Sequence, residues 1–164
     1  MYFGWINVFG ASIVVLMLIP NILYAVKNKG EKNKCNSVCM NTLEQIGRYS
    51  CIILMWLPLG VRKFGFGSVA GMLLYLAGNG ILLLAYWTVF MRHLKDKTAK
   101  RALLLAVLPA CIFFWSGVLL RHWLLAGAAV LFATGHIYVT MKNVEYTEIR
   151  TSHKTGAGEE GKEP

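Results

Sequence analysis

What most limits the fold of this chain is that its charges are gathered into a few short clumps with long apolar runs between them. The clumps are KNKGEKNK (27–34), RHLKDKTAKR (92–101) and the segment after Lys142. The runs between them approach the ~20 residues that an α-helix needs to cross a ~30 Å hydrocarbon core. Charged residues make up 15% of the chain, against roughly 25% in a soluble domain. Hydrophobic residues make up 56%, and the mean hydropathy is +0.51. A soluble core of this size has no use for so many long apolar runs. The sequence therefore predicts an all-α, polytopic membrane helix bundle.

Five transmembrane helices are expected, roughly over 4–26, 42–61, 68–91, 102–120 and 123–141, forming a single membrane domain over 1–150. The first run has no Lys or Arg before it and no small-residue cleavage site, so it is expected to stay in the mature protein. The last two runs are separated only by Arg121-His122-Trp123. Backbone polar groups must be satisfied inside lipid, which favours a tight helical hairpin there. Trp123 suits the headgroup level. The closing segment TSHKTGAGEEGKEP (151–164) is small, polar and charged, so it is expected to be disordered from Thr151.

The Lys and Arg count sets the orientation. Lys27, Lys29, Lys32 and Lys34 precede the second span. Arg92, Lys95, Lys97, Lys100 and Arg101 separate the third from the fourth, and Lys142, Arg150, Lys154 and Lys162 follow the fifth. These thirteen bases fall on one side, against Arg62, Lys63 and Arg121 on the other, with Arg48 inside a span. The N-terminus is thus expected outside and the C-terminus in the cytoplasm of a cell (inner or plasma) membrane. The formal net charge of +9 then serves anionic lipid headgroups, at about 1 kcal/mol per base near the surface. Nucleic acid is not an expected partner, because no segment is long enough for a folded basic domain. An odd span count in so short a chain makes a homo-oligomer or a partner membrane protein plausible.

Several residues stand out within the spans. Asn41 and Glu44 have the spacing of a capping box, and Glu44 and Arg48 are i and i+4 with the acid first. This predicts a helix-end cap and an ion pair at the rim, with Arg48 snorkelling towards headgroups. Asn79 lies mid-span between glycines, on the edge of a face holding Gly71, Tyr75, Gly78, Leu82 and Tyr86, and Gly67 and Gly71 form a GxxxG pair. His136 shares a stripe with Ala129, Ala133 and Thr140. Tyr75, Asn79, Tyr86 and His136 either make interhelical contacts or line a polar path. Pro20, Pro58 and Pro109 each remove a backbone hydrogen bond, and Asn21 could satisfy a group freed near Pro20.

Cys35 and Cys39, even with His93, fall short of the about four ligands a structural metal site needs. No metal or other cofactor is expected. RHWLLAG (121–127) resembles the R-H-P-x-Y-x-G stretch of integral-membrane isoprenylcysteine methyltransferases at Arg121, His122 and Gly127, with Trp123 and Leu125 in place of Pro and Tyr. That family's site faces the cytoplasm and uses paired acids downstream. Here the charge distribution puts Arg121 outside, and Glu145 and Glu148 are not adjacent, so no activity is carried over. Without a catalytic constellation, the expected function is packing against partner membrane proteins or lipids. The alternative is a subunit of a small-molecule or ion transporter or channel, with its path lined by the third and fifth helices.

Overall fold

Each apolar run folds into one α-helix. The computed structural model describes residues 6–27, 35–57, 59 and 66–159. They form α1 (Val8–Lys27), α2 (Val38–Trp56), α3 (Val69–Lys95), α4 (Ala99–Leu119) and α5 (Trp123–Glu159), with no strand among the described residues. The loop positions Lys29, Lys32, Lys34, Arg62 and Lys63, together with Pro58 and Lys162, lie outside the described residues.

α3, α4 and the Trp123–Thr147 part of α5 are long and apolar enough to cross a membrane, with mean hydropathies of 1.8, 2.3 and 1.6. α1 contributes a shorter apolar stretch, Val8–Tyr24. α2, which carries Glu44, Gln45 and Arg48, is not among these candidate spans.

The bounds of α2 differ from the 42–61 expected of it. It starts at Val38, where the Ser37 hydroxyl accepts from the Met40 N–H, so Ser37 and not Asn41 is the N-cap. Asn41 lies inside the first turn, and its side-chain amide donates to the Cys35 carbonyl at 2.9 Å. The helix stops at Trp56 because Leu57 precedes a proline and is extended, at φ −110 and ψ 125. At the far end of the chain, α5 continues to Glu159, past Thr151 where composition places a disordered tail. Extending a helix that already exists avoids the cost of nucleation, so polar residues can follow it without a core to bury.

Contacts between helix ends give the order. α3 and α4 are joined by residues 96–98, and α4 and α5 by a tight turn at 120–122. The Asn7 N–H donates to the Trp56 carbonyl at 2.9 Å, which brings the start of α1 to the end of α2. Near the other end of the molecule, Tyr86 of α3 donates to Asn21 of α1. Chain direction therefore alternates from helix to helix. α5 packs most extensively against α2 and α4, α3 against α4, and α1 touches both α2 and α3. The helices thus make a ring in the order α1, α3, α4, α5, α2. Val14, Cys51, Met55, Tyr75, Tyr86, Ile112, Phe113 and Phe132 form its core.

Two local devices shape the ring. Pro20 cannot donate to the Leu16 carbonyl, and the Trp87 indole of α3 fills that place at 3.2 Å. Asn21 reaches the Met17 carbonyl at 3.5 Å. At the α4–α5 turn, the His122 N–H bonds to the Gly117 carbonyl and the Arg121 N–H to the Val118 carbonyl, with Arg121 at φ 54. This is a Schellman ending with arginine where glycine is usual. His122 Nδ1 then accepts from the Leu125 N–H at 3.2 Å and caps α5.

Candidate functional site

Starting α2 at Val38 moves its charges inward. Glu44 is six residues and Arg48 ten residues from the helix start, or about 9 and 15 Å along the axis. Arg48 therefore sits near the middle of a 19-residue helix, about one turn further from its start than a helix beginning at Thr42 would place it. Glu44 Oε1 is bonded to the Arg48 guanidinium and, at 2.9 Å, to His136 Nδ1 of α5. Glu44 is only 5% exposed, whereas the Arg48 and His136 side chains are 38% and 22% exposed. The acid is thus held inside by two donors that keep some access to the surroundings. His136 is stacked on Phe132 one turn earlier, with ring centroids 4.9 Å apart and planes at 16°.

Glycine makes this approach possible. A Cβ on Gly47 would lie 2.7 Å from the backbone of Phe132, and one on Gly135 would lie 2.7 Å from the Glu44 nitrogen. α2 and α5 cross with their backbones nearly touching, and the short distance lets Glu44 reach His136. By contrast, the GxxxG pair noted in the sequence does not bring helices together. Nothing would meet a Cβ on Gly67 within 4 Å, and one on Gly71 would meet only Ser68 of its own turn. The glycine of that face that does face another helix is Gly78, which lies against the Trp115 indole.

The other residues singled out fall into two polar layers. Tyr86 OH donates to Asn21 Oδ1 at 2.8 Å, linking α3 to α1. Asn21, Tyr86 and His136 each precede by six residues a base, namely Lys27, Arg92 and Lys142. Together with Glu44 and the Arg48 guanidinium bonded to it, they form a layer about 9 Å inside the basic end of the bundle. Towards the opposite end, Asn79 donates to the Tyr75 carbonyl at 2.9 Å and accepts from the Ser116 hydroxyl of α4 at 3.1 Å. Asn7 is buried nearby, with its Oδ1 accepting from the Gly10 N–H. The buried Tyr75 ring is tilted 57° to that of Phe66, with centroids 5.1 Å apart, and among the described residues neither its hydroxyl nor the Asn7 amide nitrogen makes a hydrogen bond within 3.5 Å. Tyr75 lies beside Ser116 and Asn7, which places Asn7, Tyr75, Ser116 and Asn79 in one polar cluster.

Tyr75 and Asn79 therefore fall in one polar layer, and Tyr86 and His136 in the other. Asn79 and Tyr86 are seven residues apart on α3, about 10 Å. The interior between their layers is filled by Met17, Cys51, Phe113 and Phe132, all buried. His136 is bonded to Glu44 of α2. Ser116, Asn7 and Trp87 were missed by sequence reading, since a lone serine, asparagine or indole in an apolar run carries no periodic signal.

Among the described residues, no three His, Cys, Asp or Glu side chains gather into a group that could hold a metal ion. At RHWLLAG the geometry accounts for both polar residues, with Arg121 exposed in the turn and His122 buried as the cap. Burial holds the His122 imidazole below its ordinary range, opposed by contacts to backbone at His122 and Leu57. No protein-family model, no curated protein and no solved structure matches the chain.

Proposed function

We propose that this protein is a five-span bundle of a cell membrane, N-terminus outside and C-terminus cytoplasmic, which acts by packing against lipids or partner membrane proteins and has no catalytic role. One observation carries the reading. The polar side chains deep in the helices are tied to one another across helices, and the two layers they form are separated by apolar side chains. A solute path needs polar groups that are continuous and available, whereas here the bonds hold helices together. The basic positions fit the cytoplasmic side, where anionic headgroups lie. The half-exposed Arg48 favours the transport alternative, since a deep intramembrane cation often marks a route.

Purified protein reconstituted into liposomes tests the choice. Under an imposed gradient, the expected result is no flux of protons or alkali cations above that of empty vesicles. Asn79→Leu, which strands the Ser116 hydroxyl, is expected to lower folding yield without changing that flux. A saturable flux that disappears in a folded Glu44→Gln variant would overturn the reading in favour of transport.

A further inference from the structure

α3 and α5 both pack along α4 without packing extensively on each other, and this leaves a notch over α4. The notch is a cavity of about 390 Å³ that runs from Val107 to Trp115 on α4 and from Ala129 to Ile137 on α5, with Leu82 of α3 as one wall. Eight residues of helix make it about 12 Å long, parallel to the helices. No charged residue lines it. The Trp115 indole nitrogen is turned away to Gly78, so the lining offers a polar ligand little to bond.

We infer that this notch holds one alkyl chain of an anionic phospholipid from the cytoplasmic leaflet. The inference rests on the membrane reading above and names the lipid partner in it. The volume is roughly a dozen times the ~30 Å³ that one water occupies in the liquid. That suits a single chain, whereas a helix with side chains is about 10–12 Å across and cannot enter. An unfilled apolar cavity forfeits dispersion contacts along its whole lining, and hydrocarbon is the filler at hand in a bilayer. Charge decides which lipid. Lys100, Arg101 and Lys142 lie five to seven residues beyond the notch at its basic end. That is about 8–10 Å along the helices, where the phosphate of a lipid whose chain fills the notch would sit. Arg101 and Lys142 also pair with Asp96 and Glu145, and Lys100 is exposed.

The full chain in phosphatidylethanolamine vesicles doped with phosphatidylglycerol bearing a diazirine in one acyl chain provides the test. After irradiation, labels are expected to concentrate on the Cys111–Phe114 and Val130–Ala133 segments, several-fold above Ile81 and Leu84 on the open face of α3. Ala133→Trp fills the floor and is expected to abolish the excess. Val130→Trp does so from the exposed rim, where a larger side chain leaves the core packing alone. The same probe on phosphatidylcholine is expected to label the notch less. Equal labelling of notch and open face, or crosslinks to a second copy there, overturns the lipid site and leaves the membrane reading standing. Release of the protein from vesicles by an alkaline wash overturns both.

Discussion

At Glu44, one carboxylate oxygen serves two helices, and the energetic consequence depends on what is removed. Losing the acid alone leaves Arg48 and His136 facing each other across a nearly touching pair of backbones. Removing one partner of a buried pair costs about 3–5 kcal/mol, so Glu44→Ala is expected to lower stability by that order. Replacing the whole group by apolar residues, as in Glu44→Leu with Arg48→Met and His136→Leu, is expected to be close to neutral. Unfolding in detergent, followed by helical circular dichroism, separates the two. If the single and triple variants lose equally, the triad does not hold α2 to α5. A second residue adds a pH term. His122 is buried with its pKa lowered by desolvation, so the unfolded chain takes up the proton first as pH falls through the ordinary value near 6.5. Its contribution is therefore present above that pH and is lost below it, until the folded form titrates as well. Between about pH 7.5 and about pH 5.5, part of the fall in midpoint is expected to vanish in His122→Asn. Asparagine keeps a side-chain oxygen for the Leu125 N–H but does not titrate.

At the scale of helices, the close crossings sort the glycines into two kinds. Gly47 and Gly135 face the opposing backbone of α5 and α2, and a Cβ on Gly117 would lie 2.7 Å from the Ala126 nitrogen in the α4–α5 hairpin. Backbone cannot swing aside as a side chain can, so Gly47→Ala and Gly135→Ala must part the helices, costing roughly 1–3 kcal/mol each. Gly80 and Gly127 meet nothing within 4 Å. There alanine is expected to be neutral or to stabilise by about 0.5–1 kcal/mol through helix propensity. Thermal melts of the four single variants check the contrast, and it fails if Gly80→Ala and Gly47→Ala melt alike. This also marks how far the sequence could be read. The number of helices and their approximate extents follow from apolar runs of fixed length, because span length is a local quantity. The start of α2 was misplaced because Ser37 and Asn41 both carry cap chemistry one turn apart, and spacing to Glu44 favoured the wrong one. The link from Glu44 to His136 joins residues 92 apart, and no local pattern encodes it. Gly47 and Gly135 do have a sequence signature, each within one turn of a titratable residue that meets the other helix. It becomes legible only once α2 and α5 are known to be neighbours.

At the scale of the whole molecule, α2 is the weak member of the five. It lacks the hydropathy of α3, α4 and α5, and on the five-span reading it carries Glu44 and Arg48 into the bilayer. A charged residue at the centre of a helix opposes insertion by about 2.5–3.5 kcal/mol, so α2 alone has no reason to cross. Its crossing must draw on the ion pair with Arg48, on His136, and on the long contact with α5. That makes the second crossing conditional on the fifth, although α5 is made last. Reporter fusions in the full chain turn this dependence into an outcome. A tag at the N-terminus and one between α2 and α3 are expected outside, and one after Lys142 in the cytoplasm. In His136→Leu, Glu44 loses its partner on α5, and a measurable fraction of chains is expected to show the α2–α3 tag in the cytoplasm. Glu44→Leu with Arg48→Leu removes the opposition itself and is expected to restore that tag to the outside even when residue 136 is leucine. If the tag stays outside in every chain of His136→Leu, α2 crosses on its own apolarity, and the triad's part in insertion is lost. If the N-terminal and C-terminal tags share a compartment, the odd number of crossings is wrong.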